Sequence, residues 1–293
     1  MKLILHVKSG ICNRINMIGM YRSYFKGIKL PMYIHWGYDN HCPYSYSELY
    51  DKSQEESLGY KVSTHLNDIY TPGEDIVFGD KFPWTGGPED YIPLPTALMH
   101  ETTRALLPKL KQLGDWDSLK AGPLYNYDKN HTIVGKMNYR QLEAVRLTRQ
   151  LRLSDQAQHS VDITLESLPT KFNAIHIRST DFTSKISPEE NSQSIADNIK
   201  FIDKSTLPVY LATDCKETYN IYKSKYKDKV LNFSSFDDTK HKDQFLKTRK
   251  STGSDCMVDL YVCAKSEMYR GTSLSTFSDY IYYLRGEVPS RFK

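Results

Sequence analysis

No run of this sequence approaches the roughly 20 consecutive apolar residues that a membrane-spanning helix needs, so no segment reads as a membrane span. Charge of one sign is scarce as well. Lys and Arg number 39 against 35 Asp and Glu, a formal +4 over 293 residues, and the basic residues are spread rather than gathered into a stripe, which argues against a nucleic-acid partner. Cysteines are few and odd in number, five. The opening Met1-Lys2-Leu3-Ile4-Leu5-His6-Val7 is too short for a signal h-region and lacks a small-residue cleavage site. Reduced thiols in a cytoplasmic protein are therefore expected. Several motifs are missing too: there is no G-x-x-x-x-G-K-[ST] loop, no G-x-G-x-x-G, no G-x-S-x-G and no H-E-x-x-H. Metal-binding patterns are equally thin. Cys256 and Cys263 are not at zinc-like spacing, and His35, His41 and Cys42 lack a second close-spaced pair. The acidic pairs Asp237-Asp238 and Glu189-Glu190 follow no apolar strand. The expectation is a site without a metal or a bound cofactor.

What is present is an alternation of strands and helices. At 293 residues the length suits two domains of roughly 100–150 residues each. The first half opens as strand Leu3 to Val7, a turn around Gly10 where the backbone must pass closely, and an amphipathic run from Cys12 to Phe25 with Ile15, Ile18 and Tyr21 on its apolar positions. Leu30 to Trp36 reads as the next strand, and Thr96 to Leu110 and Tyr139 to Leu153 as helices, while residues 51–87 carry mixed turn signals. The second half is more regular. Ser154 caps a helix ending near Leu168, strand Phe172 to Ile177 follows, and Ser187-Pro188-Glu189-Glu190 opens another helix. Strand Val209 to Thr213, helix Lys216 to Tyr226, strand Val230 to Phe233, a charged loop over Asp237 to Lys250 and helix Asp255 to Ser266 complete it. This is the pattern of an α/β fold with parallel sheets covered on both faces. The domain boundary falls near residue 153, giving domains of 1–153 and 154–293.

Chemistry gathers in the second half. The strand Ala174-Ile175-His176-Ile177 empties into Arg178-Ser179-Thr180-Asp181, at the carboxyl edge where parallel sheets bind ligands. Arg178 is either a bidentate diphosphate ligand or half of a salt bridge to Asp181. His176 shares a face with Arg178 and either contacts a base or ribose or is a hydrogen-bonded core histidine. The run Gly271-Thr272-Ser273-Leu274-Ser275-Thr276-Phe277-Ser278 holds four hydroxyls in its last six residues and feeds a Tyr-rich helix. Backbone N–H groups at a helix start, with Ser275 and Thr276 beside them, suit a phosphate; simple N-capping is the alternative. Asp259 could accept the paired N–H edge of guanine, which uracil lacks, or merely sit well in a helix dipole.

Four blocks in order resemble the fucosyltransferase-like superfamily of two-domain GT-B glycosyltransferases: Gly10-Ile11-Cys12-Asn13-Arg14, His176 to Asp181, Val209 to Asp214, and Asp259 with Ser273 to Ser278. The resemblance implies two Rossmann-like domains facing a central cleft, the first acceptor-side and the second donor-binding. It implies inverting transfer of a sugar, fucose from GDP-fucose first, to a hydroxyl of a glycan acceptor, without a metal. Arg178 would hold the β-phosphate; His176 and Asp259 would contact the nucleotide; Ser273, Ser275, Thr276 and Phe277 would complete the donor site, with Gly10, Asn13 and Arg14 bordering it from the first domain. The chain departs from the α1,6 pattern at Ser179, Phe182 and Ile186, so the general base does not carry over. Glu189, Glu190 and Asp39 are the candidates. The competing readings are a UDP-sugar donor such as UDP-xylose, sulfotransfer from a phosphoadenosine donor, which lacks its lysine-rich loop at residues 8 to 14, and a non-catalytic nucleotide- or glycan-binding module.

Overall fold

The structure, a computed structural model, describes residues 2–7, 10–24, 30–38, 42–71, 75–79, 139–179, 187–233, 253–287 and 289. The helix expected over Thr96 to Leu110, the loop over Asp237 to Lys250, and Asp39, His41, Asp181 and Phe182 lie outside them. The chain divides into two compact units, Met1–Arg152 with Val288–Lys293, and Leu153–Glu287. The last six residues thus group with the first unit, whereas the sequence pattern assigns them to the second.

The first unit is built on a four-stranded sheet of β1 (Leu3–Val7), β2 (Met32–Trp36), β3 (Lys61–Ser63) and β4 (Ile76–Gly79), in the order β3-β2-β1-β4 and parallel throughout. All five residues of β1 are buried, as expected of a strand covered on both faces. Helix α1 (Ile11–Tyr24) follows β1, and short α2 (Tyr46–Leu49) and α3 (Glu55–Leu58) lead into β3. Helix α4 (Tyr139–Gln150) packs along α1. The expectation that α1 is amphipathic does not hold: Arg14 and Asn16 are buried together with Ile15, Met17 and Ile18. The cause is that α1 has a neighbour on two sides, β1 and α4, so little of its circumference meets water.

The second unit repeats the architecture. Helix α5 (Asp155–Glu166) precedes β5 (Asn173–Ile177), then α6 (Pro188–Lys204), β6 (Val209–Thr213), α7 (Lys216–Tyr226), β7 (Val230–Leu231), α8 (Gly253–Lys265), β8 (Tyr269–Arg270) and α9 (Thr276–Arg285). The sheet order is β7-β6-β5-β8, again parallel. Helix starts follow their local signals. Ser154 Oγ accepts the Ala157 N–H to cap α5, and Ser187 and Glu190 form a reciprocal capping box with Pro188 in the first turn of α6. Ile175, Ile177, Ile202, Val209, Leu211, Tyr222 and Val230 form the core on one side of the sheet. Strand β7 is shorter than the expected Val230 to Phe233, because Asn232 turns its side chain back to donate to the Leu211 carbonyl at 2.7 Å. Among the described residues no helix is long and apolar enough to cross a membrane.

Candidate functional site

Strand β5 lies between β6 and β8, and its carboxyl end delivers His176 and Arg178 to the connection between β8 and α9. That connection presses hard against the helix it leads into. A Cβ on Gly271 would stand 2.6 Å from Ser278 Cβ and 2.8 Å from the Tyr269 hydroxyl, so only glycine fits. Three residues on, Leu274 holds φ at 59°, a left-handed conformation that costs a residue with a side chain about 1 kcal/mol. Ser275 then caps α9, its Oγ accepting the Ser278 N–H at 3.4 Å. Capping does not use up the turn: the remaining N–H groups of a first helical turn have no partner inside the helix, and the Ser275 hydroxyl still has a proton to donate. Asp279 is buried in the same turn, so the positive charge that an anion would meet here comes from Arg178 rather than from the helix alone.

His176 is a hydrogen-bonded, buried histidine. Its Nδ1 and Ser278 Oγ lie 2.7 Å apart, and its ring packs against Phe277, with centroids 4.6 Å apart. Burial, reinforced by the positive charge of Arg178, lowers its pKa to about 3, so the imidazole is neutral at any working pH. Its second ring nitrogen is then a directional neutral group rather than a charge. Thr272 ties the strand end to the turn, its hydroxyl donating to the His176 carbonyl at 2.9 Å and accepting the Arg178 N–H at 3.0 Å.

Asp259 sits on α8 and is 4% exposed. The hydroxyl of Tyr210 in β6 donates to its Oδ1 at 2.6 Å. Its charge is felt one turn along the same helix, where burial first and Asp259 second push the Cys263 thiol well above the ordinary range. A carboxylate so held has a fixed plane. One oxygen is engaged by a phenol, and its remaining lone pairs are directed.

The structure brings Arg178, His176, Ser275, Thr276 and Phe277 into one constellation, with Ser273 on the same turn. Gly10, Asn13 and Arg14 belong to the first unit. Gly10 begins α1 through its carbonyl, which accepts the Arg14 N–H at 3.1 Å. Arg14 is 0% exposed, donates to the Gly37 carbonyl at 2.6 Å and lies over the Trp36 ring at 5.0 Å, a packed guanidinium within its own unit. Of the general-base candidates, Asp39 is outside the described residues. Glu189 is exposed at the start of α6, where its own backbone N–H and the Ser187 side chain hold its carboxyl below the usual range. A raised pKa would suit a base better, and no contact among the described residues ties Glu189 to Arg178 or to the turn before α9. Glu190 is committed to the capping box. Three residues that the sequence motifs contain, but to which sequence reasoning assigns no individual role, organise the site: Gly271, Thr272 and Tyr210. The first two open the hydroxyl-rich run, and a glycine there was the available signal; Tyr210 gives none, because its partner lies 49 positions away.

Two parallel-sheet α/β units in one chain, with a strand-end arginine tied through its backbone to a hydroxyl-rich turn, are an architecture shared with GT-B glycosyltransferases. The profile of the GDP-fucose protein O-fucosyltransferase family matches residues 102–287, and the chain belongs to that family. Solved structures agree in fold. The α-1,6-fucosyltransferase NodZ co-crystallised with GDP superposes with a TM-score of 0.56 at 18% identity, over 98% of this chain and 93% of that one. NodZ from Bradyrhizobium gives 0.55 at 17%, over 98% and 94%. POFUT1 in complex with GDP-fucose gives 0.51 at 11%, over 99% and 95%. No curated protein is significantly similar in sequence.

Proposed function

We propose that the chain transfers fucose from GDP-fucose to an acceptor hydroxyl, that of a glycan, with inversion at the sugar carbon, and that the second unit binds the donor while the first serves the acceptor. The observation that carries this reading is the joining of Arg178 to the start of α9 through Thr272 and the His176–Ser278 pair. Family membership and the GDP-fucose bound by solved structures of the same fold support the choice of donor.

In this reading Arg178 takes the β-phosphate, and the N–H groups of α9 with Ser273, Ser275 and Thr276 take the remaining diphosphate oxygens. His176 and Phe277 flank the nucleoside, and Asp259 accepts from the N1–H and N2–H edge of guanine. The acceptor oxygen attacks the anomeric carbon as the bond from that carbon to the phosphate oxygen breaks. GDP leaves with the electron pair, Arg178 meets the charge that grows on it, and the acceptor proton passes to a base, for which Asp39 remains the candidate. The guanidinium and the helix start do the work a divalent cation does elsewhere, so activity should survive chelation.

Titration calorimetry with GDP and UDP, and mass spectrometry of products formed from GDP-fucose, test the proposal. Wild type should bind GDP and release fucosylated product, Arg178→Ala should bind at least tenfold more weakly, and Asp259→Ala should lose GDP affinity but not UDP affinity. Tighter binding of UDP than of GDP would overturn the donor, and nucleotide binding without any product would leave a binding module.

A further inference from the structure

The backbone on both sides of Arg178 is held by side chains from the two neighbouring strand connections. Ladder pairing of β5 with β8 ends at Ile175 opposite Arg270, and pairing with β6 ends at Ile177 opposite Thr213. Beyond those points side chains replace backbone acceptors. Toward β8, the buried hydroxyl of Thr272 accepts the Arg178 N–H at 3.0 Å and donates to the His176 carbonyl at 2.9 Å. Toward β6, Asp214 Oδ1 accepts the Ser179 N–H at 2.9 Å, and Thr218 of α7 donates to Ser179 Oγ at 2.8 Å.

Successive backbone groups of an extended chain point to opposite sides, so N–H groups 178 and 179 are caught from opposite directions. The peptide carrying Arg178 therefore cannot rotate without breaking one of them. Thr272 itself lies between Gly271, packed so closely against Ser278 and Tyr269 that a Cβ would clash with both, and Leu274 in its left-handed conformation.

We propose that Thr272 and Asp214 are positioning residues for Arg178, a two-sided clamp that presents the guanidinium to the donor diphosphate in one direction before the donor arrives. This rests on the reading of Arg178 as a diphosphate ligand. A pre-aimed side chain loses less freedom on binding, and the benefit falls only on ligands that reach it. A threonine hydroxyl serving both the donor and the acceptor of adjacent peptides is also hard to replace. Valine keeps its shape and loses both bonds, whereas serine keeps both.

The test is calorimetry with GDP and with GMP, which lacks the β-phosphate, on wild type, Thr272→Val, Thr272→Ser, Arg178→Ala and the double variant Thr272→Val/Arg178→Ala. Removing the hydroxyl, and with it both bonds, should weaken GDP about tenfold and leave GMP within about twofold. Thr272→Ser should restore GDP binding, and Thr272→Val should add nothing to Arg178→Ala. Should valine at 272 prevent folding, Asp214→Ala against Asp214→Asn asks the same question from the other side, with asparagine expected to rescue. Equal losses for GDP and GMP, or full additivity with Arg178→Ala, would overturn the clamp and leave a structural threonine. If Arg178→Ala loses GDP while Thr272→Val does not, the clamp fails and the donor reading stands; if wild type binds no GDP, both fall.

Discussion

The two sheets share one strand order, β3-β2-β1-β4 and β7-β6-β5-β8, and the central strand of each carries a histidine as the fourth of its five residues, His6 in β1 and His176 in β5. Their surroundings diverge at once. The residue paired with His6 across the sheet is His35, and the two rings stack with centroids 4.5 Å apart and their Nδ1 atoms facing each other, while His35 Nε2 reaches the Thr64 carbonyl at 3.2 Å. The residue paired with His176 is Ala212. A methyl group leaves the ring no partner within the sheet, and it finds Ser278 and Phe277 on the following helix instead. His6 faces Gly79 on its other neighbour, so what separates the two histidines is the presence of a second ring, His35, where the second sheet has Ala212. Identical topology does not make identical sites.

The arginines sharpen the contrast. Arg14 fills core volume in the first unit, whereas Arg178 is only partly buried at a strand end. Arg14→Ala should lower stability by about 3 kcal/mol, combining lost packing with an orphaned Gly37 carbonyl. Arg178→Ala should change it by less than about 1 kcal/mol while abolishing tight GDP binding. Urea unfolding of both variants measures this, and equal destabilisation would erase the distinction between a packed and a poised guanidinium.

A second break point is pH. His176 stays neutral in the folded chain because burial lowers its pKa to about 3, whereas in the unfolded chain it takes a proton near pH 6.5. The unfolded state therefore binds more protons between those values, and stability falls as pH drops from about 6.5 toward 3, by up to about 1.4 kcal/mol per unit. Above about 6.5 the contribution is fully present. His176→Gln should flatten the slope over that window in urea titrations at several pH values; an unchanged slope would mean that another group carries it.

How far these features were legible in the sequence follows from the distance between the partners. Helix starts at Ser154 and Ser187 were readable because a cap and its target lie three residues apart. Strands β5 and β6 were readable as apolar runs. The two-residue strand β8 and the short β3 and β4 were not, since each is held by register with a distant neighbour rather than by any period of its own. In the site, the strand-end arginine and the hydroxyl-rich turn stood out locally. That they form one object through Thr272, 94 residues from Arg178, did not, and neither did the commitment of Asp259 to Tyr210. The side-chain burial of α1 has no local signal, because its second neighbour, α4, begins 115 positions after the helix ends.

Gly271→Ala tests the tight joint that the first unit has no described counterpart for. A methyl group placed 2.6 Å from Ser278 Cβ forces the turn away from α9, an overpacking cost of about 1–3 kcal/mol. Because the residue it would press against, Ser278, is the partner of His176, GDP affinity should drop alongside stability. A variant that is destabilised in urea but binds GDP as wild type does would separate the fold of the turn from its use.

The smallest effect compares two caps of like geometry. Ser154 Oγ caps α5 by accepting the N–H of Ala157, and Ser275 Oγ caps α9 by accepting that of Ser278. Replacing either with alanine should cost about 1 kcal/mol of stability, and by that measure the two serines are interchangeable. They should part in binding. The Ser275 hydroxyl stands beside the strand-end arginine's turn with a proton to give, so Ser275→Ala should weaken GDP severalfold while Ser154→Ala leaves it unchanged. Were both variants to bind GDP as wild type does, Ser275 would be a cap and nothing more, and the anion-holding role would fall to the backbone N–H groups and Arg178 alone.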